Sequence, residues 1–147
     1  METLRIFISS PGDVAEERDK AKQVIAALQC EVGDEVTLLP VLWEDLAIPA
    51  TASFSDMHRI DIAVFILWSR LGTPLGAAIT KPDGGTYRSG TEREFDLMLA
   101  AFEQSGGKIP VILAYAREDS DGFHQRLEAR AHDEDDLEEL IRQRKLV

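Results

Sequence analysis

The chain has one cysteine, Cys30, in 147 residues, which excludes an internal disulfide and any cysteine-based metal cluster. Its three histidines, His58, His124 and His132, have no spacing that would set two of them on one metal ion, and none reads as a catalytic base. Basic residues are scarce: 16 Lys and Arg against 27 Asp and Glu give a formal net charge of −11. That sign excludes non-specific nucleic-acid binding and adsorption to anionic membranes, both of which need cationic surface. Long apolar runs are missing too. The longest, 62–68, is far shorter than the roughly 20 residues of a membrane-spanning helix. The opening Met-Glu-Thr-Leu-Arg-Ile lacks the basic, apolar, small-residue order of a secretion signal. The expected location is cytoplasmic.

What is present is an ordinary globular composition, 44% hydrophobic and 29% charged, enough for one core at this length. Four near-continuously apolar runs, 4–8, 36–42, 62–68 and 111–115, are rich in β-branched and aromatic residues. Such runs suit strands buried on both faces of a parallel sheet better than the alternation of a half-solvated antiparallel one. Helix patterns lie between them. In the first, Val14, Ala21, Val24, Ile25 and Leu28 form one stripe, with Asp13 as N-cap and Glu16 at N3. A short helix is expected over 53–59. The next long one starts near Ser89 or Thr91 and carries Phe95, Met98, Leu99 and Phe102 at i, i+3, i+4 and i+7, with Gly106 and Gly107 ending it. Strands alternating with helices predict right-handed βαβ units in an open, doubly wound α/β sheet.

The stretch 69–90 is a Gly-, Pro- and Thr-rich loop leaving the carboxyl end of the third strand, where ligands bind in such sheets and where a lid would lie. A linker follows over 117–121, then helical pieces over 123–130 and 137–145 separated by the acidic run 132–136. The expected division is an α/β domain over 1–116 and a charged helical tail over 117–147, packing on the domain or leading out of it.

Chemistry concentrates in Tyr87-Arg-Ser-Gly-Thr-Glu-Arg-Glu-Phe95, which contains two overlapping capping boxes, Ser89 with Glu92 and Thr91 with Glu94. Only one operates at a time. If Ser89 caps and Glu92 completes the box, Glu94 is released at the edge of the buried face, where the positive end of the helix favours its anion. A carboxylate beside a dry pocket suits cleavage of an N-glycosidic bond, by stabilising an oxocarbenium ion or attacking C1 of the ribose. The alternative is a glutamate that only caps its helix. Ser9 and Ser10, in the turn after the first strand, have hydroxyls and amides suited to phosphate or ribose, though the same turn also reads as a plain helix entry. Trp43 and Trp68 are candidates for stacking on a base, or are buried aromatics. Arg70 can grip a phosphate bidentately, or pair with Glu44 or Glu94. Cys30 reads as a small filler.

Three segments together resemble a known family: Arg5-Ile-Phe-Ile-Ser-Ser-Pro-Gly-Asp-Val-Ala-Glu-Glu-Arg-Asp, Asp61-Ile-Ala-Val-Phe-Ile-Leu-Trp-Ser-Arg-Leu-Gly-Thr-Pro and Ser89-Gly-Thr-Glu-Arg-Glu-Phe. They look like the TIR-like domain at the N-terminus of many bacterial STAND/NACHT-type NTPases, over most of 4–116. The resemblance implies a flavodoxin-like three-layer sandwich with a four- to five-stranded parallel sheet. It also implies kinship with TIR NADases and nucleoside deoxyribosyltransferases. Glu94-Phe95 fits the glutamate and apolar residue of the former, and Gly90-Thr91-Glu92-Arg93-Glu94 the Gly-Thr-x-x-Glu of the latter. The implied activity is hydrolysis of the nicotinamide–ribose bond of NAD+ in a bacterial anti-phage defence or signalling protein, with Glu94 catalytic. Ser9, Ser10, Trp43, Trp68, Arg70 and Tyr87 would bind substrate. NAD+ is then the substrate, with no cofactor and no metal. Implied partners are further copies of the chain through the 43–50 loop on activation and other domains of a larger parent chain. Three features depart from the family pattern: Gly90 stands where a tryptophan is usual, Pro49-Ala50 where Pro-Gly is usual, and no fifth strand is evident after Tyr115. The alternatives are nucleoside or nucleotide N-glycosidase or deoxyribosyl transfer in the same pocket, or a non-catalytic self-association module.

Overall fold

A computed structural model describes residues 2–42 and 60–147. Trp43, the 43–50 loop, His58 and the helix expected over 53–59 lie outside the described residues. The apolar runs form four strands: β1 (Glu2–Ser9), β2 (Val36–Leu42), β3 (Ile62–Leu67) and β4 (Val111–Ala116). The helices are α1 (Ala15–Val32), α2 (Gly90–Gln104), α3 (Ser120–Ala129) and α4 (Glu134–Arg144). The sheet is all parallel in the order β2-β1-β3-β4. Phe7 sits opposite both Val41 and Ala63, and Ser9 opposite Phe65. Pro40 is accommodated because β2 is an edge strand, where a missing N–H breaks no inner ladder.

The two faces follow from the two-residue period of the strands. Phe7, Ala63 and Phe65 pack with Leu97, Met98 and Ala101 of α2. Ile6, Ile8, Ile66 and Trp68 pack with Val14 and Ile25 on the α1 side. The result is a three-layer, flavodoxin-like α/β sandwich. Parity along β1 also decides the site: Ser9 shares the face of Phe7, so its hydroxyl is presented toward α2 at the carboxyl end of the sheet.

Four expectations are corrected. The buried stripe of α2 runs one residue earlier than the apolar pattern predicts: Glu94, Leu97, Met98 and Ala101 are buried, while Phe95 is 38% and Leu99 39% exposed. The spacing is unchanged, but the helix is turned so that a carboxyl group, rather than a ring, enters the core face. Asp13 does not cap α1, because its carboxylate is taken by the amide and hydroxyl of Ser69, at 3.0 and 2.6 Å. The stripe of α1 is only half covered. Val24 and Leu28 are exposed, since β4 is an edge and no fifth strand follows among the described residues. Finally, the acidic run does not separate the tail helices but starts the second: Asp133 caps α4, accepting from the Asp136 amide at 3.1 Å, and Glu134, Asp135 and Asp136 form its first turn. Acids there meet the positive helix end.

Candidate active site

At the start of α2 the Ser89 side chain, fully buried, accepts the Glu92 amide at 3.1 Å. Glu92 turns back and accepts the Arg88 amide at 2.6 Å, one residue before the N-cap. Ser89 and Glu92 thus close the helix end, and Glu94 follows within the first turns of α2. It is 8% exposed, and its Oε2 accepts a hydrogen bond from the Ser9 hydroxyl, itself buried at the end of β1. The two residues are 85 positions apart in sequence. The other carboxyl oxygen lies toward Gly90 and Leu75: a Cβ at position 90 would stand 3.9 Å from Oε1. A side-chain methyl at Gly90 would thus stand in ordinary van der Waals contact with the carboxyl group and Leu75.

Glu92 anchors the preceding loop. It is bound by Lys81 Nζ at 2.8 Å and by Arg88 Nε and Nη2 at 3.1 and 3.0 Å. A narrow hairpin, with Thr80 bridged to Thr86, carries Lys81 to this point. Burial alone would push the Glu92 carboxyl up, but the hydrogen bonds of Lys81, the Arg88 side chain and the Arg88 amide outweigh it and hold the group down from 4.5 to about 2. A folded value below the unfolded one stabilises fully above pH 4.5 and is lost as pH falls from there through 2. The advantage of the native chain over Glu92→Gln in urea unfolding is accordingly expected to be of the order of 1–3 kcal/mol near neutrality and to shrink across that window. A difference that stays constant with pH would contradict this anchor. Tyr87 is buried beside the anchor, its ring 5.4 Å from Lys81 Nζ. Burial pushes its hydroxyl up.

Trp68 and Arg70 are not gathered around Glu94. Trp68 is 5% exposed on the α1 side of the sheet, where the tail covers it. Arg117 and Arg126 lie over its ring at 4.4 and 5.0 Å, and its indole N–H reaches the Asp119 carbonyl at 3.4 Å. Arg70 donates to Thr73 Oγ1 at 3.2 Å and borders a small cavity against α3 and α4. Ser10 keeps a buried hydroxyl without a partner among the described residues. Among the described residues no group of three His, Cys, Asp or Glu is placed to hold a metal, and no described helix is long and apolar enough to cross a membrane.

Sequence reasoning did not find the clamp that joins the tail to the end of β3. The Asp13 side chain, 1% exposed, holds Ser69 and lies 3.5 Å from Arg126, which also donates to Ser69 Oγ at 3.1 Å. Arg144 donates to the Trp68 carbonyl. Gln143 is buried, accepts the Leu71 amide at 3.0 Å and donates to Glu139 at 2.8 Å. A lone glutamine in a polar helix carries no periodic signal that separates it from its solvated neighbours. Gln143→Ala orphans a buried amide and is expected to cost about 1–3 kcal/mol. It should also speed hydrogen exchange at Leu71 well beyond the global change; uniform exchange across the fold would argue against the clamp.

On the α1 face, an apolar groove of about 520 Å³ runs beside β4, with Val24, Leu28, Leu113 and Tyr115 in its lining. Glu17 and Lys20 are its charged members, so it offers little for bond cleavage. No family model matches the chain, and neither a curated protein nor a solved structure does.

Proposed function

We propose that the chain is a TIR-like effector domain that hydrolyses the nicotinamide–ribose bond of NAD+, with Glu94 as the catalytic carboxylate. The observation that carries this reading is the buried pairing of Ser9 with Glu94 at the carboxyl end of the sheet, the edge at which open α/β sheets bind ligands. A glutamate needed only as a cap would not face β1, and here Ser89 and Glu92 already do that work. Positive charge develops on the ribose as the bond to nicotinamide breaks. A fixed carboxylate stabilises that charge, or forms a bond to C1 that water then cleaves. Ser9 holds the carboxyl orientation, and the sugar would approach from the carboxyl end of the sheet. Trp68 and Arg70 have other duties under the tail. Release of nicotinamide from NAD+ by the assembled protein tests the proposal, and release undiminished in Glu94→Gln would sink it. The same pocket acting on a nucleoside is separated by screening nucleosides and nucleotides for free base.

One observation favours a non-catalytic self-association module as second reading. β4 is an apolar edge strand exposed along most of its length, next to the apolar groove, and such edges template pairing with another chain. That reading predicts assembly with unchanged stoichiometry in Glu94→Gln and no nicotinamide release from either form.

A further inference from the structure

The cavity between the residues after β3 and the two tail helices is small, about 80 Å³, and is lined by Arg70, Arg126, Arg130, Glu139, Leu140 and Gln143. Three guanidinium groups converge there in a protein of net charge −11. The one carboxylate in the lining is already engaged: Glu139 receives Arg142 through two hydrogen bonds of 2.7 Å and Gln143 through a third. Arg142 is outside the lining, so Glu139 leaves the cationic excess of the cavity standing. Arg70 Nε is buried with no partner among the described residues, a donor of a kind that native structures satisfy with a water or a ligand. Burial and the charges of Arg130, Arg70 and Arg117 pull the Arg126 guanidinium down against the pull of Asp13. Among the described residues, like charges are thus crowded here without a full complement of counter-ions.

We infer that this cavity is a binding site for a phosphoryl group, held by the guanidinium groups of Arg70, Arg126 and Arg130. Planar guanidinium forks match the oxygens of a tetrahedral phosphate, and charge-assisted bonds of this kind are the strong ones. About 80 Å³ exceeds the roughly 10–15 Å³ that a single water needs but cannot enclose a nucleoside, so a nucleotide would seat its phosphate and leave the rest outside. Arg130 is exposed, which gives the site an opening to solvent. Because Arg70 leaves β3 while Arg126 and Arg130 belong to α3 and its end, an anion here would also tie the tail to the sheet edge. The site stands apart from the chemistry at Glu94, and its test reads binding, with no turnover required.

Inorganic phosphate is titrated into the full chain by calorimetry at constant ionic strength in chloride. The expected result is saturable binding of one phosphate. Its affinity should fall about tenfold, ~1.4 kcal/mol, in Arg130→Gln and again in Arg70→Gln. Circular dichroism checks that both variants are folded, and Arg130, being exposed, provides the variant that keeps the fold if Arg70→Gln does not. A nucleoside 5′-monophosphate that binds more tightly than phosphate, with the same loss in the variants, identifies a nucleotide as the source of the group. Equal affinities identify free phosphate. Absence of saturable binding, equal binding of acetate, or affinity unchanged in both variants would overturn the inference.

Discussion

Phe65→Ala is expected to lower the unfolding free energy by about 3–5 kcal/mol, a large part of the roughly 5–15 kcal/mol available to a domain of this kind. Phe65 is in the centre of β3 and 1% exposed. Its ring meets Phe7 edge-on at 6.3 Å and Phe95 at 5.2 Å. The same cluster includes Leu97, Met98 and Ala101 from α2. Because β3 is hydrogen-bonded to β1 on one side and β4 on the other, the backbone cannot close into the space left behind, which places the cost toward the upper end of the range. Urea unfolding should show a lower midpoint at unchanged slope. Phe95→Ala provides the contrast. Partly exposed, Phe95 should cost well under half as much. Equal losses at the two positions would mean that the helix faces the sheet with Phe95 rather than Glu94, and would remove the geometric basis of the site.

The strands and their parallel order were legible because runs such as 62–67 are apolar without alternation, which only a sheet covered on both faces accommodates. The cap of α2 was legible as one of two options, since two capping boxes that overlap by two residues cannot both close one helix, and the structure uses Ser89 with Glu92. The rotational phase of α2 was not. Apolar periodicity assigns Phe95 and Leu99 to the core, whereas the partner that draws Glu94 inward, Ser9, is 85 positions away and has no local signature. The roles of Asp13, Trp68 and Arg70 were obscured for the same reason. Asp13 reads locally as a cap, Trp68 as a ring stacking at the Glu94 site and Arg70 as a grip on substrate at that same site, and each instead meets a tail whose docking depends on Phe123, Leu140 and Gln143 meeting the sheet edge. Local rules describe a residue's possibilities, and tertiary contacts select among them.

Glu94→Gln is expected to reduce nicotinamide release from NAD+ roughly 100- to 1,000-fold, the effect of removing one preorganised electrostatic stabiliser from a transition state. The substitution keeps size and can still accept from Ser9, while Ser89 continues to cap α2; the fold and the helix should therefore persist, and unfolding curves check this. Ser9→Ala leaves the carboxylate in place but removes the donor that orients it, so a smaller loss follows, roughly tenfold to a hundredfold for a bond to a charged group. The two effects should not add. If Ser9 acts through Glu94, Ser9→Ala in the Glu94→Gln background changes the rate little, because there is no longer a carboxylate to orient. Fully additive losses would assign Ser9 a separate contact with substrate. Full activity in Glu94→Gln at unchanged stability would reduce the Ser9–Glu94 pair to a packing contact, and would shift the weight of the functional reading to the exposed β4 edge and its groove.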